Sequence, residues 1–237
     1  MSANARDSRI LQEQIEYYRA RAGEYDDWFF RRGRYDRGDD VTERWFEQVE
    51  QVRRALRAVP LDLGEVVELA PGTGLWTQEI AQRAKRLTAV DASVEMIELN
   101  RARLGPLAAK VDFIVDDLFT WNPDRKFDAV VFCFWISHVP ANRLDGFLQR
   151  VARMTRSGGS VFFLDGLREQ TSSARDHVLP TPDVEQMTRR LDDGREFAIV
   201  KNFWDSRDLE SRCARAGLAV SVHETAEFFQ YGVGTRV

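Results

Sequence analysis

The 237-residue chain is 43% apolar and 30% charged, which is long and apolar enough to bury the core of one domain. Its 34 basic and 38 acidic side chains leave a net charge of −4 without a sustained basic stripe, so a nucleic acid is not expected as partner. Cys133 and Cys213 lack the spacing of a metal site or a disulfide framework, the opening MSANARDSRILQEQIEYY has no apolar signal core, and the longest apolar run, Phe127 to Val139, is too short to cross a bilayer. A soluble cytoplasmic protein with no membrane partner is the expectation.

Ile10, Leu11, Ile15, Tyr18 and Ala22 recur at three- and four-residue steps, which predicts an amphipathic helix over Ile10 to Ala22. A second helix is predicted over Thr42 to Val59. Between them EYDDWFFRRGRYDRGDD mixes aromatics, charges and glycine without a clear period and reads as an irregular cap. Five β-rich runs follow, at 66–70, 87–91, 111–117, 127–135 and 159–166, separated by helices that begin near Trp76, Ser93 and Asn142. Residues 167–194 break this rhythm with polar residues and two prolines, as a lid or substrate loop at a sheet's carboxyl edge would. REFAIVKNFW (195–204), a helix over Ser206–Ala216, a C′ glycine at Gly217 and a strand pair in LAVSVHETAEFFQYG complete the chain. The alternation implies an α/β fold, a doubly wound and mostly parallel seven-stranded sheet with an N-terminal helical cap and an insertion after the fifth strand.

Chemistry concentrates at Glu68-Leu69-Ala70-Pro71-Gly72-Thr73-Gly74, where a strand gives way to a helix. Gly72 and Gly74 remove side chains so that backbone can approach a ligand, and the helix that follows offers unpaired N–H groups. A tight structural turn would look the same. Asp91 ends the next strand, 17 residues after Gly74, where a carboxylate can accept both hydroxyls of a ribose. A nucleoside-containing ligand is therefore expected. A nicotinamide dinucleotide is disfavoured because Thr77, beside bulky Trp76, stands where its fingerprint places a third glycine.

ELAPGTG, followed by AVDAS, IVDDLF and FDAVVFCFWISHVP, resembles the ordered motifs of class I S-adenosylmethionine-dependent methyltransferases of the small-molecule type, over roughly residues 60–166. The resemblance implies S-adenosyl-L-methionine as cofactor. It also implies one methyltransferase domain over 1–237, divided into a helical cap (1–59), a cofactor-binding core (60–166), a substrate lid (167–194) and a C-terminal helix and strand pair (195–237). Position by position, it implies that Glu68 holds the turn and the methionine amino end, that Ala70, Gly72 and Gly74 pass the methionine moiety, and that Asp91 with Ala92 grips the ribose. Asp117 and the Leu118 backbone would face the adenine edge, Met96 and Phe119 would supply apolar surface to the base, and Phe134 would present backbone to the methionine end. Many members have glycine at the position of Ala70. YYRARAGEYD resembles the aromatic helix that closes over the cofactor in many members, so that Tyr18 or Tyr25 would bond the methionine carboxylate; packing of these tyrosines within an amphipathic helix is the alternative.

Methyl transfer from a sulfonium is an in-line displacement that needs alignment and exclusion of water, and no metal. A hydroxyl acceptor also benefits from a base, for which His138 in ISHVP is the candidate, with Asp165 and His177 as weaker ones and His223 as an ordinary exposed side chain. The chain lacks both the Asn/Asp-Pro-Pro-aromatic tetrapeptide and the Pro-Cys nucleophile of nucleic-acid enzymes, leaving a small-molecule acceptor. Trp28, Phe29, Phe30, Trp135 and the aromatics of FFQYG would line its pocket or join the core, and FFRRGRYDR would meet an anionic substrate or be solvated. A nicotinamide-dependent oxidoreductase and a non-catalytic nucleoside-binding protein are the alternative functions.

Overall fold

A computed structural model describes residues 3–61, 64–181 and 183–237. Seven strands form one sheet: β1 (Glu65–Leu69), β2 (Arg86–Asp91), β3 (Val111–Val115), β4 (Phe127–Cys133), β5 (Thr155–Gly166), β8 (Leu218–Glu224) and β9 (Phe229–Arg236), with β6 (Gln186–Arg190) and β7 (Glu196–Val200) set apart as a two-stranded hairpin. The spatial order is β3-β2-β1-β4-β5-β9-β8, parallel through β5 and antiparallel at β9 and β8. The winding reverses between β1 and β4, which opens a crevice at their carboxyl ends.

Side-chain alternation along the strands supplies two cores. Val66, Ala129, Val131, Phe162 and Leu164 face one side with α3 (Asp39–Ala58) and α4 (Thr77–Arg83). Val67, Val130, Phe132 and Phe163 face the other with α6 (Ala141–Met154) and α7 (Ser206–Arg215). The remaining crossover helix, α5 (Val94–Leu104), starts at Ser93, whose hydroxyl accepts from the Met96 N–H at 3.2 Å. Helix α7 ends before Gly217, which takes φ 83° as a helix-terminating glycine does. Among the described residues no helix is long and apolar enough to cross a membrane.

Three expectations need correction. The fourth strand, read to Trp135, ends at Cys133, because Phe134 turns to φ 56° and donates its N–H to the Leu164 carbonyl at 2.6 Å. The irregular cap contains a short helix, α2 (Tyr25–Phe29). Residues 186–200, read as the end of an insertion and the start of a C-terminal segment, form one hairpin. Helix α1 (Ala3–Arg21) packs on that hairpin: Tyr17 is buried with Met187, Leu191 and Ile199, and Val200 N donates to Gln14 Oε1 at 3.0 Å. N-terminal helix and hairpin together roof the crevice.

Candidate active site

Beneath this roof lies a cavity along the carboxyl ends of β1, β2 and β4. Ala70, Gly72, Asp91, Ala92, Met96, Asp117, Leu118, Phe119, Phe134, Tyr18, Tyr25 and His138 all line it, together with Gln14, Ser93, Cys133 and Trp135. The backbone at its floor is bent in two places by non-glycine residues of positive φ, Ala70 at 54° and Phe134 at 56°. Each such residue costs about 1–2 kcal/mol and persists only where its surroundings enforce it. Ala70 occupies a conformation that glycine adopts without that cost.

The glycine turn is held by its neighbours. Asp26 on α2 accepts from Thr73 Oγ1 at 2.6 Å and pairs with Arg103, whose Nε donates to the Thr73 carbonyl at 2.7 Å. That clamp lays Tyr25 against Gly72, where an added Cβ would meet nothing nearer than the Tyr25 ring at 3.9 Å. Gly74 differs. It does not line the cavity, and a Cβ there would fall 2.7 Å from Asn100 Oδ1, so its missing side chain lets α5 approach the turn. Glu68 is also off the cavity wall: it is buried beneath the turn, Oε2 has no hydrogen-bond partner among the described residues, and burial lifts its pKa to about 8 against a bond from Thr77. Burial thus favours the neutral form of its carboxyl.

Asp91 accepts from Gly72 N at 3.1 Å and Ser93 N at 2.9 Å, which aims the carboxylate into the cavity. Burial raises its pKa to about 6 in spite of these bonds. The open side of Gly72, the aimed Asp91 carboxylate and the apolar Met96, Leu118 and Phe119 together fit a nucleoside with a flexible tail, the group that the sequence resemblance implies.

His138 sits at the far end, buried. A carbonyl only accepts, so the 2.7 Å contact from Nδ1 to the Val200 carbonyl places the ring proton on Nδ1. Nε2 is then an acceptor, and it receives the Tyr18 hydroxyl at 2.7 Å. Burial, and after it the Lys201 ammonium, push the ring pKa down to about 3, so the imidazole is neutral at any working pH. The alternative bases fall elsewhere. Asp165 is committed to Lys201 and the Ser137 N–H, His177 lies between Arg189 and the Arg190 N–H, and neither lines the cavity; His223 is exposed.

A second cavity adjoins the first and shares Tyr18, Tyr25, Phe134 and His138 with it. Trp28, Phe228 and Phe229 line it; Phe228 and Phe229 also belong to the buried core, as Phe29 does, and Trp28 packs against that core. The arginines of FFRRGRYDR do not reach either cavity. Arg31 and Arg37 donate to carbonyls of residues 170–174, and Arg34 pairs with Glu24, Asp176 and Asp192, so this run staples cap to insertion. The charged side chains of the second cavity are instead Arg21, Arg189 and Lys201, which sequence reading did not single out. Arg21 stands inside the YYRARAGEYD run, where buried helical spacing next to Tyr17 was the available signal.

Comparison with known proteins places the chain among enzymes of one kind. A family model described as a methyltransferase domain matches residues 66–159. Trans-aconitate 2-methyltransferase of Streptomyces avermitilis is 33% identical over 88 residues, which cover 35% of this chain and 33% of that protein. The chain spans between 33% and 51% of the length of the first curated relatives that it matches. The solved structure of DhpI with SAH has 34% identity and a TM-score of 0.76, covering 96% of this chain and 97% of that one. That of DhpI with SAM and HEP has 35% identity and a TM-score of 0.77, covering 95% and 97%.

Proposed function

From the premise that the chain belongs to the class I S-adenosylmethionine-dependent methyltransferases, we propose that it methylates a hydroxyl of a small-molecule acceptor held in the second cavity. One observation carries this reading. The two cavities share a junction formed by Tyr18, Tyr25, Phe134 and the buried His138, where a cofactor in the first would confront an acceptor in the second. DhpI has been captured with SAM and HEP together, and that two-ligand arrangement is transferred to this chain as part of the proposal. When bound, S-adenosylmethionine supplies an electrophilic methyl group on a sulfonium sulfur. Asp91 then holds the ribose, Met96 and Phe119 the base, and Tyr25 the tail over Gly72. His138 Nε2, in exchange for its bond from Tyr18, receives the proton that the acceptor's hydroxyl loses.

Calorimetry with S-adenosylhomocysteine and NADH tests the cofactor, and formation of S-adenosylhomocysteine with a metabolite extract tests turnover. Tight binding of the homocysteine derivative alone is expected, and preferential binding of NADH would refute the reading. Asp91 gives this measurement a pH signature. Its folded carboxyl is charged only above about pH 6, and the ribose hydroxyls need the charged form, so affinity is present above that pH and lost as pH falls through it. The loss should approach roughly tenfold per pH unit in the acid limit, and Asp91→Ala should weaken binding by about 1–3 kcal/mol with a flattened profile.

The roof is proposed to order on the cofactor. Hydrogen exchange of α1 and of residues 167–200 should slow when S-adenosylhomocysteine is added, because Tyr18 and Tyr25 would gain a partner beneath them. Equal exchange with and without ligand would mark the cap and insertion as a fixed decoration.

A further inference from the structure

The charge of the second cavity is unbalanced. Lys201 Nζ is 3.3 Å from Asp165 Oδ1 and has its counter-ion, but Arg21 and Arg189 have no carboxylate within ion-pair distance among the described residues. Arg21 is 5% exposed; among the described residues its one hydrogen bond goes from Nη2 to the Tyr35 hydroxyl at 3.2 Å and Nε is buried without a partner, while the rings of Tyr17, Tyr25 and Tyr35 surround the guanidinium at 5.0–5.8 Å. Arg189 comes from the other side of the roof, on β6. Its Nη1 meets His177 Nδ1 at 2.7 Å and its Nε is likewise buried without a partner. The nearby acids are already committed, Glu24 to the Asp192 N–H and Arg34, and Asp176 to Arg34.

A buried guanidinium and a half-buried one facing a single cavity without an anion are costly, and the arrangement becomes favourable when a ligand supplies the missing charge. A guanidinium offers paired N–H donors that match the oxygens of a carboxylate or a phosphate-type group. Resting on the methyltransferase reading, we infer that the acceptor is a small oxyanion-bearing molecule whose anionic group sits on Arg21 and Arg189 while its hydroxyl reaches Tyr18 and His138 at the junction. The anion would bridge α1 to the hairpin, so acceptor binding itself would pin the roof closed. The aromatic walls, Trp28, Phe228 and Phe229, leave room for a compact carbon skeleton beside the two guanidiniums.

Inorganic phosphate and glycolate, each titrated by calorimetry into the protein with and without S-adenosylhomocysteine, test this assignment. At least one should bind saturably, with phosphate preferred for a phosphate-type acceptor and glycolate for a carboxylate, while glycolamide, which keeps the shape and loses the charge, should not bind. Arg21→Gln and Arg189→Gln should each lower the affinity of the preferred anion by roughly tenfold or more and leave that for S-adenosylhomocysteine unchanged. Failure of both anions to bind, binding of glycolamide as tight as glycolate, or undiminished binding in both variants would overturn the inference. The glycolamide arm uses the unaltered protein, so it decides the question even where a variant does not fold. If S-adenosylhomocysteine itself fails to bind, the methyltransferase reading falls, and the anion titrations of the free protein still judge the cavity.

Discussion

His138→Ala should lower kcat by on the order of a hundredfold or more, measured with a turned-over acceptor at saturating S-adenosylmethionine, and leave S-adenosylhomocysteine affinity nearly intact. The geometry makes the ring a preset acceptor: Nδ1–H is fixed on the Val200 carbonyl, and Nε2 points its lone pair at the Tyr18 hydroxyl within the junction. Burial and Lys201 hold its pKa near 3 in the free protein, which makes it a weak base there. An anion beside Arg189 and Lys201 would offset the cations that disfavour imidazolium, so the ring should become a stronger base once an acceptor of that charge is bound. A structural histidine is separated from a proton acceptor by His138→Asn, whose side-chain N–H can keep the bond to Val200. Recovery of the melting temperature without recovery of kcat would support proton transfer. Recovery of both would show that the ring only ties residues 136–138 to the hairpin, and the base role would be withdrawn.

Gly72→Val should abolish S-adenosylhomocysteine binding, a loss on the order of a hundredfold or more, with only a modest fall in melting temperature. Gly72 has φ 55°, where a β-branched residue is strained, yet space is open at its Cβ apart from the Tyr25 ring 3.9 Å away. That open space is the cavity, so the added methyls would occupy the room in which the proposed function places the cofactor's tail. Gly74→Val should show the reverse balance. Its side chain would collide with Asn100, which donates to the Gly72 carbonyl at 3.3 Å and to Thr77 Oγ1 at 2.9 Å, so stability should fall first and binding only as the turn deforms. Calorimetry and thermal melts on the two variants check the contrast; a Gly72 variant that melts lower but binds normally would make the turn purely structural.

The sequence by itself determined the features that short stretches of chain impose. Strand and helix periods located the doubly wound sheet, and its strand ends located two residues of one cavity wall, because Gly72 and Asp91 close two consecutive β–α units and reach the same edge wherever the fold forms. Met96, Asp117, Leu118, Phe119 and Phe134 entered through the family resemblance, and each lies a short step past a strand of that edge and lines the same cavity. Gly74 shows the limit of local reading: its glycine answers to Asn100, a neighbour contributed by α5 rather than by the turn.

Only the tertiary structure decided where charge goes uncompensated and which protons are held. The arginines of FFRRGRYDR look like an anion site in one dimension and are spent on backbone carbonyls and carboxylates in three, whereas Arg21 and Arg189, on α1 and the hairpin, meet at one cavity without a counter-ion. His138 likewise has an ordinary pKa as a sequence letter and one near 3 when buried beside Lys201. Backbone periodicity is a property of neighbours along the chain, so the order of residues specifies it directly. Electrostatic balance depends on distance and desolvation among groups that the chain brings together only by folding, and it is settled by packing.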